Sequence, residues 1–254
     1  MRLPRVSFIS LLCICVLVAC AQTQTVRTKI YEDRRTGVML HRVVEQDDAA
    51  IAKDYSHPVQ FGVEDLKYLL STIAYEEKGL FGWSEARSVF TADELYRLGP
   101  HLVEAFAQAT PDDEVVFQLT SAKPGLIFAS ERFTNGRLFL KDKNLNCVFA
   151  NVNLRPDMDS VYDGEPRNYY AGTLWRLVIR EGQTLAEGKK GTHYNWLMMD
   201  WETILKEKKL RDQARREQLQ KRRVLKMKQQ QQQRQQETGW TDWESDEVLE
   251  PETP

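Results

Sequence analysis

The sequence predicts an α+β domain: an antiparallel meander sheet of about five strands with two or three helices, followed by a long C-terminal helix. Three observations predict it. Two amphipathic helical patterns come first, at 63–74 and from Thr91 onward. Five strand-like runs follow, rich in Val, Phe, Leu and Ile and separated by turn signals, with no parallel βαβ alternation. Last, no Pro or Gly interrupts the chain between Asn195 and Gln236, where good helix formers dominate.

The first helix places Val63, Leu66, Leu69, Leu70 and Ile73 on one face. The second opens with Thr91-Ala92-Asp93-Glu94, a capping box flanked by Phe90 and Leu95 in staple positions. Leu95, Leu98, Leu102, Val103 and Phe106 then keep helical spacing. Pro100 predicts a kink or a split near Gly99. Pro111 and the Asp112-Asp113 pair end the pattern. Strands are predicted at 114–120, 126–133, 137–140, 145–153 and 173–180. Thr134-Asn135-Gly136 reads as a hairpin turn between two of them, and Asp142-Lys143-Asn144 suits the next turn. In the last strand Trp175, Leu177 and Ile179 share one side, with Arg176, Val178 and Arg180 on the other.

Charge and polarity divide the chain. Residues 20–56 are polar and read as a tether with room for a strand at 37–44. Residues 57–195 form the α+β domain, long enough to bury a core without metal or disulfides. Residues 196–236 read as a basic helix, and Trp196, Leu197, Trp201, Ile204, Leu205 and Leu210 give its first turns a docking face. Further on, Ala214, Leu219, Val224, Leu225 and Met227 do not hold a heptad, so a stable coiled coil is not expected. Between 206 and 228 eleven Lys or Arg stand against three acids, a local charge of +8. Residues 237–254 are an acidic, disordered tail with seven acids and no Lys or Arg. The tail either neutralises the arm or docks through aromatic anchors. Candidate partner-binding residues are Lys221, Arg222 and Arg223 in the arm and Trp240 and Trp243 in the tail.

The N-terminus carries the sharpest signal. Arg2 and Arg5 precede a run from Val6 to Ala19 that is apolar or small except at Ser7 and Ser10. As a helix the run would reach roughly 21 Å, too short to span a bilayer comfortably. Its lengths suit a cleaved export signal. It closes on Leu17-Val18-Ala19-Cys20, which resembles the lipobox of bacterial lipoproteins. The resemblance covers about the first 21 residues. It implies that residues 1–19 leave as a signal peptide and that Cys20 carries acyl chains such as palmitate. Each buried CH₂ then contributes about 0.8 kcal/mol of membrane affinity. Ala21, where an Asp would retain the protein at the inner membrane, implies the outer membrane, facing the periplasm.

No motif names a reaction. Cys13 and Cys15 leave with the signal and Cys20 is consumed by lipid, so Cys147 has no disulfide partner; it reads as a half-buried apolar side chain. His41, His57, His101 and His193 form no HxxxH or HExxH pattern and read as isolated surface residues. Gly79-Leu80-Phe81-Gly82-Trp83 lacks the Lys-Ser/Thr of a phosphate loop and the third Gly of a dinucleotide turn. Its apolar residues are expected to fold back onto the core; exposed, they would form a recognition patch. The acidic stretch 157–165 fails as an EF-hand, with Val161 at a ligand position and Tyr162 where Gly is needed. No catalytic residue, metal or cofactor is therefore expected. The expected function is a structural, assembly or interaction module of the envelope. Its partners are the membrane, through the lipid, and an anionic envelope component or acidic protein. The alternative is an envelope enzyme acting on cell-wall or lipid substrates. Nucleic acid would suit the basic arm, but an exported chain rarely meets it.

Overall fold

The computed structural model describes residues 23–45, 50–123, 130–154 and 174–241. Two units divide the chain, residues 1–204 and 205–254. In the first, β1 (Gln24–Glu32) and β2 (Thr36–Val44) form an antiparallel hairpin. Asp33 closes its turn by accepting the amides of Arg35 at 2.7 Å and Thr36 at 2.6 Å. β2 falls where a strand was expected at 37–44, and β1 is a further strand within residues 20–56. β1 hides from a sequence reading because it is an edge strand with most residues exposed.

Next come α1 (Val63–Ser71), β3 (Ala74–Gly79), β4 (Gly82–Trp83), β5 (Arg87–Ser88) and α2 (Ala92–Gln108). The capping box forms as expected: Thr91 Oγ1 accepts the Glu94 amide, and the Glu94 carboxylate accepts the Thr91 amide at 2.7 Å. Phe90 and Leu95 are both buried. Pro100 neither splits nor ends α2, which runs through it. Pro100 and Tyr96 lie on the exposed side, so the Tyr96 carbonyl that loses its partner meets water. Gly99 faces α1, where an added Cβ would stand 2.8 Å from Lys67 Cγ.

β6 (Asp113–Lys123), β7 (Ser130–Lys141) and β8 (Asn144–Leu154) are a meander. Asp142, with φ of 55°, turns the chain from β7 to β8 as expected. The Asn-Gly reading is corrected: Asn135 and Gly136 lie inside one long strand. Neither residue has the positive φ that a two-residue hairpin turn demands. They sit at register shifts instead, and an added Cβ at Gly136 would lie 2.4 Å from the Val148 carbonyl oxygen. Gly136 is therefore there for close strand approach.

β9 (Trp175–Val178), β10 (Gln183–Gly188) and β11 (Gly191–Asp200) follow. The large sheet is antiparallel, seven-stranded and ordered β1-β2-β6-β7-β8-β11-β10. The α+β class stands. The sheet is larger than the five-strand meander, because the β1–β2 and β10–β11 hairpins flank its three consecutive strands. β9 pairs with β3 in a small second sheet that also holds β4 and β5. Trp175 and Leu177 are buried there, whereas Ile179 beyond the strand is exposed.

Helix α2 packs on one face of the large sheet, over β1, β2 and β6, and α1 packs against α2. Leu66, Leu98, Leu102 and Phe106 from the helices and Val38, Phe117, Leu138 and Phe149 from the strands are wholly buried. On the opposite face Tyr55 stacks on Phe139 at 4.4 Å and closes a smaller cluster with Val148 and Trp196.

Candidate interaction surface

α3 (Trp201–Thr241) begins immediately after β11. Asp200 caps it, accepting the Thr203 amide at 3.1 Å and the Thr203 hydroxyl at 2.9 Å. Trp201 meets Phe61 edge-on at 5.1 Å. The helix starts later than the expected 196, since Trp196 and Leu197 alternate across β11 and Leu197 is buried there as a strand residue.

Over its 41 residues α3 extends about 60 Å. Every residue from Lys209 to Arg234 is exposed. At ~100° per residue, Lys208, Arg211, Arg215, Arg222 and Lys226 fall within an arc of about 60°. Lys209, Arg216 and Arg223 form a second row beside it. Leu210, Ala214, Val224 and Leu225 occupy the other side with Glu217, Lys221 and Lys228. Of the candidate residues, Arg222 and Arg223 therefore belong to the basic face, and Lys221 does not. Arg215, Arg216, Arg222, Arg223 and Lys226 form no ion pair among the described residues. Trp240 lies in the last turn of α3. Cys20, Trp243 and the acidic stretch 157–165 lie outside the described residues.

The expectation that Leu80, Phe81 and Trp83 fold back is overturned. β3 and β4 form a hairpin with Leu80-Phe81 at its tip, 98% and 104% exposed. Two residues cannot return to the core from a turn this tight. Trp83 is partly covered by the Arg176 guanidinium, 4.1 Å from its ring centroid.

The histidines depart from the surface reading. His57 and His193 are buried, and His101 stacks on Tyr31 at 3.6 Å. Burial pulls His57 down to about 4, so its ring is neutral at physiological pH. Neither His57 nitrogen has a hydrogen-bond partner among the described residues. His41 is lowered by burial and by the charges of Arg27 and Arg137, against the opposing pull of Glu114. Beside it the Tyr55 hydroxyl donates to Glu114 at 2.7 Å and Arg137 donates to the other Glu114 oxygen at 3.2 Å. This group braces the segment before α1 against β6 and β7. Cys147 is wholly buried rather than half-buried, and burial pushes its thiol far up, away from nucleophilic use. No cluster of His, Cys, Asp and Glu suited to a metal occurs among the described residues.

A cleft of about 400 Å³ opens between the two sheets and the first turns of α2. Arg35, Arg87 and Arg97 line it with Tyr75, Ser121 and Asn153. These arginines are far apart in sequence and on different elements, so no spacing announces them. No helix among the described residues is long and apolar enough to cross a membrane. Comparison with protein-family models, curated proteins and solved structures finds no match.

Proposed function

We propose that this chain is a membrane-anchored interaction module of a bacterial envelope. A lipid on Cys20 holds it at a membrane, and the basic face of α3 engages an anionic surface outside the chain. The observation that carries the reading is the sorting of cations along α3, combined with exposure of every residue from Lys209 to Arg234. A helix exposed on all sides among the described residues gains little from tertiary packing, from which most helical stability comes. A partner that neutralises one side stabilises it and gives the charge a use. The run ending Leu17-Val18-Ala19-Cys20-Ala21 supports the anchor and an outer-membrane, periplasm-facing location.

The magnitude suits a second contact added to a lipid. Each basic residue near an anionic surface contributes about 1 kcal/mol. Replacing three residues of the main row, Arg215→Gln, Arg222→Gln and Lys226→Gln, should therefore weaken binding about 100-fold. The test uses the full chain with Cys20→Ser, which isolates α3 from the anchor. Co-sedimentation with phosphatidylglycerol-containing vesicles should be strong at low salt, absent with neutral vesicles and much reduced by the triple substitution. Equal binding by the triple variant would overturn the reading.

A further inference from the structure

We infer that the cleft between the two sheets and α2 is a binding site for a small phosphorylated ligand of the glycerol phosphate or sugar phosphate class. Three arginines reach it from three elements: Arg35 from the β1–β2 turn, Arg87 from β5 and Arg97 from the second turn of α2. Arg132, directly opposite Ser121 in the β6–β7 register, adds a fourth at the border.

Three of the four are already oriented. Arg97 donates through Nη1 to Thr36 Oγ1 at 3.3 Å, and its Nε lies 3.3 Å from the Asp93 carboxylate. Arg87 donates through Nη2 to Glu77 at 2.5 Å and rests 5.7 Å from the Tyr75 ring centroid. Arg132 donates through Nη1 to the Asn153 carbonyl at 3.2 Å. A guanidinium has five N–H donors, so each keeps several in reserve. Arg35 is exposed, and its side chain makes no hydrogen bond or ion pair among the described residues.

The nearby acids are committed. Glu94 is buried and accepts both the amide and the hydroxyl of Thr91. Glu77 holds Arg87 and accepts from Asn153 Nδ2 at 3.4 Å. Asp93 pairs with Arg97. Among the described residues Arg35 and Arg132 pair with no carboxylate, and an incoming anion would meet these two charges. Asn153 is pinned in the left-handed region at φ 51°, with its amide bound to Thr134 Oγ1, and this sets the floor of the cleft.

The ligand class follows from shape and lining. Arginines on separate walls suit a tetrahedral phosphoryl group, whose oxygens point in several directions, better than a flat carboxylate. The volume falls in the range of small-molecule sites. Hydroxyls of Ser88, Thr91, Ser121 and Thr134 favour a polar body. Free phosphate esters and phospholipid headgroups share this chemistry.

The test is calorimetric titration of the full Cys20→Ser chain with sn-glycerol 3-phosphate, with acetate as control. Saturable one-to-one binding is expected for the phosphate ester and none for acetate. Arg35→Gln should weaken it about tenfold or more with an unchanged melting temperature, because Arg35 holds nothing else. The triple α3 variant should bind glycerol phosphate like the parent, which separates this site from the basic helix. Phosphatidylglycerol vesicles form the second arm. Arg35-dependent binding to vesicles without binding to the free ester would assign the headgroup as the source. Absence of Arg35-dependent binding in both arms, or loss of ester binding in the α3 variant, would overturn the proposal.

Discussion

Asp113→Asn tests how the large sheet is tied to the end of α2. Asp113 is buried at the start of β6 and accepts four hydrogen bonds. Arg42 from β2 donates through Nε at 3.0 Å and Nη2 at 2.9 Å. Thr110 donates its amide at 2.8 Å and its hydroxyl at 2.7 Å. An Asn amide turned either way points N–H groups at donors, and the charge is lost. Breaking a fully buried pair costs about 3–5 kcal/mol. The Arg42 side chain is 35% exposed, so solvent screens part of the attraction. We expect a loss of about 2–3 kcal/mol, or roughly 5–10 °C in melting temperature. Burial opposes ionisation of Asp113, but the bonds from Arg42 and Thr110 outweigh it and hold the carboxyl below its ordinary value. A lowered folded-state value stabilises the fold above the unfolded carboxyl's range, near 3.9. That contribution disappears as pH falls through the folded value. Urea denaturation of parent and variant should show the full gap at neutral pH and a shrinking gap below about pH 4. Equal stability at neutral pH, or a gap unchanged into strong acid, would refute the reasoning.

Three further outcomes are expected. Gly136→Ala forces a methyl against the Val148 carbonyl and should destabilise the sheet by about 1–3 kcal/mol in denaturant titration; no change would mean that β8 moves aside freely. Leu80→Ser with Phe81→Ser alters two fully exposed side chains and should leave stability within about 0.5 kcal/mol by thermal melting. A large loss would show that the hairpin tip packs on something. Cys20→Ser should move the protein from membranes to the soluble fraction on detergent phase partitioning, and an unchanged membrane fraction would count against lipidation.

The helices of the domain were legible because their signals are local. Thr91 and Glu94 lie within one turn, and the Leu95–Phe106 spacing needs no tertiary context. Asp142 marked its turn for the same reason. Asn135-Gly136 misled because the same pair serves a tight turn or a close strand contact, and only the Val148 backbone decides. β1 and β11 were hidden by polar residues on exposed faces, such as Arg27 and Lys29, or by buried polar ones such as His193 and Asn195. The charge on α3 was countable from sequence, and its division into rows follows once the helix is continuous. The cleft was illegible: Arg35, Arg87 and Arg97 meet only because β1–β2, β5 and α2 converge at the sheet junction.

The most direct test of the central claim is amide hydrogen exchange along α3 in the full Cys20→Ser chain, with and without anionic vesicles. A helix without cover exchanges quickly, so residues 209–234 should be poorly protected alone and protected over the basic rows when the vesicles are added. Strong protection in the free chain, or none on the vesicles, would contradict a role for α3 as a surface awaiting an anionic partner.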